Sequence, residues 1–347
     1  MRTPGEALYA QREQLAQHFP RWQRLQQLVG RPQDLAQAQW LQLAAFALDY
    51  RPDLIIELGR GYGNSTVVFL EVARQLGDCQ VLSLCNSHAW RKKTRHKLAR
   101  ECDAEFFAAG DIREVDILRT ALDLAGSERC LVFWDAHGFA VAEWVLGHLL
   151  PRLSLGSQRI VMHDLADRRY CGLDRDYQAT PLWKGGNADL PGMHLGHVFS
   201  RVGQAISALD FTTRNELPLH SADESLHGLS AEQAEELAAK FGDWFDRTAQ
   251  WFWFTLDELT VPPVFPEYAF PPQAGLMARA GEYAGQRWDG VTRRVRRLTK
   301  AVLPNRPPVS AAPTQVISTR VRTNPGRSGL RAPAKTDKAE PHVVESQ

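Results

Sequence analysis

The feature that most constrains the fold is a glycine-rich stretch, residues 53–66, which reads DLIIELGRGYGNST. Its apolar start suits a strand buried on both faces of a parallel sheet. Gly59, Gly61 and Gly63 follow at every second position, permit positive φ and leave the backbone open to a ligand. The first amide groups of the following helix lack intrahelical partners and favour polar or anionic groups in the turn. The stretch therefore predicts a strand, a tight turn and a helix that together seat a small molecule.

The spacing of the glycines distinguishes between cofactors. Nicotinamide-binding and flavin-binding turns have the pattern GxGxxG, with the pyrophosphate at the helix N-terminus, whereas this chain has GxGxG. Glu57 stands two residues before the first glycine, where a carboxylate disfavours a diphosphate and suits a ligand that carries positive charge. The pattern resembles motif I, ExGxGxG, of class I S-adenosylmethionine-dependent methyltransferases. With Asn-Ser-Thr after it, the stretch is similar to the small-molecule O-methyltransferases that include the cephalosporin hydroxylase-like, macrolide-sugar and rhamnosyl enzymes.

Strand-like and helix-like segments alternate after the turn, which is typical of a doubly wound, mostly parallel α/β sheet. The resemblance implies a Rossmann-like sheet of seven strands, the last of them antiparallel. Ligands bind such sheets where the carboxyl ends of the strands meet a reversal of strand order, so polar residues at those ends should converge. The pattern predicts strands at 79–85, 104–109, 130–135, 159–164 and 251–256, and helices at 91–101 and 113–125.

The chain divides into three predicted regions. Residues 1–50 carry two helical patterns and form an N-terminal helical cap, which in the resembled family often shapes the acceptor pocket or an oligomer contact. Residues 51–302 form the S-adenosylmethionine-binding domain, in which the polar and aromatic insertion 165–228 suits a lid over a sugar or another hydroxylated acceptor. A basic helix is predicted at about 275–301. The tail, 303–347, is rich in Pro, Ser, Thr, Arg and Lys and should be disordered.

The resemblance also implies cofactor contacts. Asn86 follows the second strand, where the family usually has an acidic residue that binds the ribose hydroxyls, and it retains only a neutral acceptor. Asp111 follows the predicted third strand, where a Gly-Asp pair would lie beside the adenine amino group; it could equally be the N-cap of the next helix. The predicted cofactor-binding residues are Glu57, Gly59, Gly61, Gly63, Ser65, Asn86, Asp111 and Asp135.

Polar residues at the ends of the fourth and fifth strands are the candidates for catalysis. Asp135 and His137 follow the fourth strand, and His163 and Asp164 close the fifth. Methyl transfer needs an acceptor oxygen held in line with the sulfonium methyl group and relieved of its proton. A histidine ordinarily titrates near pH ~6.5 and suits that role, so His137 or His163 is the predicted base. Alternatively, Asp135 and Asp164 match two metal-ligand positions of the metal-dependent O-methyltransferases, although an imidazole at position 163 fits Mg²⁺ poorly.

Composition narrows the class of protein. With 347 residues, 44% hydrophobic residues and a net charge of +1, the chain resembles an ordinary soluble protein, and nothing in its balance calls for nucleic acid. It has neither a long apolar run for a membrane span nor an apolar signal core, so we expect a cytoplasmic location. Three hypotheses remain: an O-methyltransferase acting on a small or glycosidic hydroxyl, a non-catalytic S-adenosylmethionine-fold assembly protein, and a nicotinamide-dependent enzyme, which the glycine spacing disfavours.

Overall fold

The protein is described by a computed structural model covering residues 1–32, 34–122, 124, 129–153, 157–163, 195–257, 259 and 261–270, with side chains of 195–203 excepted. The described residues contain one seven-stranded sheet. Its strands are β1 (Leu54–Leu58), β2 (Gln80–Cys85), β3 (Gly110–Glu114), β4 (Cys130–Trp134), β5 (Gln158–His163), β6 (His220–Ser221) and β7 (Trp251–Thr255).

The strand order is β3-β2-β1-β4-β5-β7-β6. Strands β1 to β5 run parallel, and β7 pairs with β5 in the antiparallel direction. The order reverses between β1 and β4, so the cleft that ligands occupy in such sheets opens above the carboxyl ends of these two strands. The predicted Rossmann-like α/β fold, mostly parallel with seven strands, is confirmed.

Helices cover both faces of the sheet. One core joins the N-terminal helices to the face that carries Ile55, Val81 and Phe133, and the other core holds Ile56, Val132 and parts of α8 and α9. The N-terminal helices therefore share a hydrophobic core with the sheet. No described helix is long and apolar enough to cross a membrane. The helices are α1 (Pro4–Ala10), α2 (Arg12–Gln17), α3 (Phe19–Val29), α4 (Gln37–Tyr50), α5 (Asn64–Leu76), α6 (Arg95–Glu101), α7 (Ala104–Ala108), α8 (Phe139–Trp144), α9 (Leu195–Arg214), α10 (Ala222–His227) and α11 (Ala231–Phe241).

The third strand lies later in the chain than predicted. Residues 104–108 form the short helix α7, because the Asp103 side chain caps it by accepting from the Phe106 amide. Residues 110–114 then form β3 in register with β2. The predicted helix 113–125 is consequently wrong in its described part, which contains the end of β3 and one 3₁₀ turn, Ile117–Arg119. Pairing with β2 overrides the local apolar pattern here.

The predicted insertion is only partly described. Residues 195–214 form the long helix α9, followed by β6 and α10, so the second part of the segment 165–228 contains regular secondary structure. Residues 164–194, the predicted helix at 275–301 and the tail at 303–347 lie outside the described residues.

A buried carboxylate ties the N-terminal helices to α5. Glu71 of α5 is fully buried and accepts hydrogen bonds from Arg21 Nε of α3 at 2.7 Å and from Arg74 Nη2 at 2.6 Å. Burial alone would raise the pKa of Glu71, but the hydrogen bonds from Arg74 and Arg21 hold that pKa below its ordinary value. The charged form of this carboxyl group is therefore favoured by folding.

Substitution of Glu71 by Gln should lower the free energy of unfolding at neutral pH by about 1–3 kcal/mol, because charge-assisted hydrogen bonds are lost in a buried site. The matched control is Glu101→Gln. Its partner Arg24 also lies on α3, at 2.8 Å, but the two side chains are 55% and 42% exposed. We expect a change under about 0.5 kcal/mol there. Urea denaturation of both variants checks the difference, and equal losses would contradict it.

The stability contributed by Glu71 should depend on pH. Because the pKa in the folded state is depressed, the contribution is complete above the ordinary carboxyl value of 4.5 and is lost as the pH falls through the folded value. Unfolding free energies measured from about pH 5 to pH 3 should therefore fall more steeply for the wild type than for Glu71→Gln. Parallel curves for the two proteins would show that this carboxyl group does not carry the dependence.

Candidate functional site

The glycine turn after β1 is shaped by its neighbours as well as by its backbone. Gly59 (φ +102°) lies so close to the loop after β4 that a Cβ atom there would be 2.7 Å from the Ala136 nitrogen. At Gly63 (φ +95°) a Cβ atom would overlap the ring of Trp90. Gly61 (φ +52°) has nothing within 4 Å of the same position. Packing therefore explains two of the three glycines, and Gly61 is the one that presents open backbone.

Glu57 lies wholly buried beneath this turn. Its carboxylate accepts hydrogen bonds from Ser65 Oγ at 2.5 Å, from Thr66 Oγ1 at 2.7 Å and from the hydroxyl of Ser83. Arg60 of the turn is also buried and donates to Ser83 Oγ at 2.8 Å. Burial raises the pKa of Glu57, and the three hydroxyls and Arg60 oppose that rise. The predicted cofactor residues Glu57 and Ser65 thus bond to each other under the turn.

The first residue of α5 carries a buried amide directly after the glycine turn. Asn64 is 4% exposed, and its Nδ2 donates to the carbonyl of Arg31 at 3.0 Å. Its Oδ1 is buried and has no hydrogen-bond partner among the described residues. The guanidinium of Arg31 stacks on the ring of Tyr62 in the turn, 4.2 Å from the ring centre. Since native proteins rarely leave a buried acceptor unpaired, this oxygen suits a donor supplied by a ligand.

The ends of β4 and β5 come together as predicted. Asp135 Oδ1 lies 3.2 Å from Nδ1 of His163 and 3.8 Å from Nε2 of His137. The Asp135 and His137 side chains are 23% and 17% exposed, whereas His163 is almost fully enclosed. Asp135 and the two histidines therefore form one cluster at the carboxyl edge of the sheet. Asp164 lies outside the described residues.

The hydrogen bonds of Gln39 define the tautomer of neutral His163. Gln39 Oε1 accepts from the amide of Ala36 at 2.8 Å, and its Nε2 donates to the carbonyl of Ala249 at 2.7 Å. That orientation makes the contact from Gln39 Nε2 to His163 Nε2, at 3.0 Å, a donation to the ring. The neutral ring then carries its proton on Nδ1, which donates to Asp135.

A second glutamine orients His137 in the same way. Gln204 of α9 is fully buried, and its Nε2 donates to the carbonyl of Trp134 at 3.3 Å. Its Oε1 therefore faces His137 Nδ1, at 2.8 Å, as an acceptor. Neutral His137 then holds its proton on Nδ1 and its basic lone pair on Nε2, the nitrogen on the Asp135 side. Sequence reasoning missed both glutamines because nothing local marks them.

Asn86 and Asp111, the two other predicted cofactor residues, lie in different surroundings. Asn86 is exposed at the carboxyl end of β2. Asp111 is the second residue of β3, in register with Leu82, and its exposed carboxylate bonds to Arg113 Nη2 at 2.5 Å. It lies within a strand, so the N-cap interpretation is wrong, and it does not reach the carboxyl edge. Glu114 is the residue that ends β3 at the carboxyl edge, and it pairs with His88 and Arg91. The sequence pattern did not indicate it because β3 begins later in the chain than predicted.

The described residues contain no cluster of three or more side chains suited to a metal ion. Both ring nitrogens of His163 face protein partners, Asp135 and Gln39, which favours a hydrogen-bonded imidazole over a metal ligand. A metal held by Asp135 and Asp164 stays a prediction, since Asp164 is not described.

Comparisons with known proteins give structural likenesses only. No protein-family model and no curated protein sequence matches the chain. Among solved structures, it is similar to SAH-bound methyltransferase PaMTH1 from Podospora anserina (TM-score 0.42, 14% identity, 62% of this chain and 77% of the other). It is also similar to the O-methyltransferase TomG from Streptomyces achromogenes in complex with SAM (0.38, 17%, 57% and 80%) and to cmcI with SAH (0.29, 20%, 43% and 72%). At these scores and identities the likenesses carry no conclusion about function.

The three glycines should respond differently to alanine. Gly59→Ala combines positive φ with overlap against the loop after β4, and it should lower the free energy of unfolding by about 3 kcal/mol. Gly61→Ala meets open space at φ +52°, close to the +55° that Arg51 adopts, and should cost about 1 kcal/mol. Urea denaturation tests the order, and a Gly61→Ala variant less stable than Gly59→Ala would contradict this description of the turn.

Proposed function

We propose that the protein is an S-adenosylmethionine-dependent methyltransferase that methylates a hydroxyl group of a small molecule. The observation that carries the proposal is the direct contact between the glycine turn and the loop of Asp135 and His137 at the point where strand order reverses. Such a contact puts a cofactor seat and a proton acceptor at one cleft. A sugar is the acceptor class that the polar and aromatic sequence of residues 165–228 favours.

The turn suits the amino acid part of the cofactor. The buried Asn64 Oδ1 is an acceptor in need of a donor, which a methionine ammonium group would supply. Gly61 leaves the backbone open beside it, and the buried Glu57 beneath the turn adds negative charge. Asn86 lies at the end of β2, where it would take the ribose hydroxyls. These residues, with Gly59, Gly63 and Ser65 as supports of the turn, are the binding site that we propose.

His137 is the base in this proposal. The bound cofactor supplies an activated methyl group, so the protein has to orient the acceptor hydroxyl and take its proton. The lone pair of neutral His137 lies on Nε2, and the neighbouring Asp135 carboxylate would stabilise the imidazolium that forms. His163 lies deeper, with Gln39 on one nitrogen and Asp135 on the other, and therefore acts by positioning Asp135.

Isothermal calorimetry tests the cofactor. S-adenosylmethionine and its demethylated product should bind, and NAD should not. Asn64→Leu should weaken binding about tenfold, which corresponds to one charge-assisted hydrogen bond, while Asn64→Asp retains an acceptor oxygen and should bind more tightly than Asn64→Leu. Both variants lose the bond to the Arg31 carbonyl, so their difference reports the acceptor oxygen together with the negative charge that Asp adds. Failure of the wild type to bind at millimolar concentration would overturn the proposal.

Turnover tests the base. With labelled S-adenosylmethionine and a small-molecule cell extract that includes sugars, His137→Ala should lose about 10²–10⁴-fold in rate, the usual contribution of a general base, and should bind the cofactor normally. His96→Ala, at an exposed histidine of α6, should keep wild-type turnover. Binding without any turnover by the wild type would favour the non-catalytic assembly protein. Full activity of His137→Ala would remove this residue from the mechanism.

A further inference from the structure

A second polar site lies away from the proposed cleft, near the amino end of β5. Arg159, the second residue of that strand, lines an open groove of about 740 Å³ together with Arg2, Glu6, Tyr9, Asp49 and Gln233. His163 of the catalytic cluster is four residues further along the same strand, or about 13 Å at the usual rise of about 3.3 Å per residue. The groove is thus separate from the cofactor site.

Arg159 is a buried cation that forms no ion pair with any carboxylate among the described residues. It is 5% exposed, and its Nε and Nη1 atoms have no hydrogen-bond partner among the described residues. The guanidinium stacks over the rings of Tyr50 at 4.2 Å and Phe46 at 4.8 Å. The nearby carboxylates are engaged elsewhere, since Asp49 pairs with Arg2 at 2.5 Å and Asp257 accepts from the Gln158 amide at 2.8 Å. A buried charge without hydrogen-bond partners costs folding free energy unless another group supplies the missing acceptors.

Tyr50 packs against the Arg159 guanidinium from outside the groove lining. Its hydroxyl is buried and has no hydrogen-bond partner within the described part of the chain. Burial raises the pKa of this hydroxyl above its ordinary value, so the hydroxyl remains protonated. It therefore needs an acceptor for its hydrogen bond. The guanidinium and the phenol are in ring contact and both need an oxygen acceptor.

We propose that this groove binds a small oxyanion, a carboxylate or a phosphate, whose oxygens accept from Arg159. A planar guanidinium matches both of these anions. Glu6 and Asp49 line the same groove, and their negative charges disfavour ligands with several charges. The site therefore selects a compact anion, and it works independently of methyl transfer.

Thermal unfolding of the full chain tests the site, with acetate and inorganic phosphate as separate probes. Each is titrated to millimolar concentration at constant ionic strength against sodium chloride. The midpoint temperature of the wild type should rise and saturate with one of the probes or with both, since a ligand that binds only the folded state stabilises it. The arm that saturates at lower concentration identifies the preferred anion class.

Arg159→Met should abolish the rise, and in chloride alone it should be at least as stable as the wild type, because an unpaired buried charge has been replaced by an apolar side chain of similar length. Tyr9→Phe, in the same groove, should retain the rise, because the Tyr9 hydroxyl already donates to Glu236 at 2.7 Å. If Arg159→Met does not fold, Arg159→Lys decides, because it keeps the charge and loses the planar fork: the apparent dissociation constant should increase about three- to tenfold. A wild type that does not respond beyond chloride, an undiminished rise in Arg159→Met, or an unchanged constant in Arg159→Lys would overturn the proposal.

Discussion

The buried carboxylate of Glu57 is the interaction on which the geometry of the cleft depends. It lies on β1 and accepts hydrogen bonds from Ser65 and Thr66, the second and third residues of α5, and from Ser83 on β2. A carboxyl group taken wholly out of water needs such donors to offset desolvation. These hydrogen bonds also fix how the strand, the turn and the helix pack against one another. A cofactor at the turn would therefore interact with the charge of Glu57 through the field beneath the turn, and not by direct contact.

A second chain of hydrogen bonds links distant elements to the same cleft. It runs from Gln39 on α4 through His163 to Asp135, and Gln204 of α9 orients His137 on the other side. Each glutamine is fixed by backbone carbonyls, so neither ring depends on a flexible partner. Preorganisation of this kind is what makes a proton acceptor effective, because the reorganisation has already occurred during folding. Helix α4 consequently contributes to the candidate site as well as to the core.

The sequence predicted those parts of the site that follow from sheet topology. Asp135, His137 and His163 converge because parallel strands end at one edge, and the strand pattern was sufficient to find them. The position of Asp111 was predicted wrongly because the apolar run at 104–108 forms a capped helix and not a strand. The true strand, β3, has no strong apolar pattern and is defined by its pairing with β2. Gln39 and Gln204 could not be found, since their contacts join residues 124 and 67 positions apart. The packing roles of Gly59 and Gly63 depend in the same way on tertiary neighbours.

The two ends of β5 show opposite solutions to the burial of a nitrogen-rich side chain. At the carboxyl end, His163 is 2% exposed and both ring nitrogens face protein partners. At the amino end, Arg159 is 5% exposed and always charged, and its guanidinium packs against the rings of Phe46 and Tyr50. Aromatic contact offsets part of the loss of hydration but supplies no acceptor for an N–H group. The nitrogens of His163 thus have protein partners, whereas Nε and Nη1 of Arg159 still lack acceptors among the described residues. The open groove beside Arg159 is where an acceptor from outside would enter.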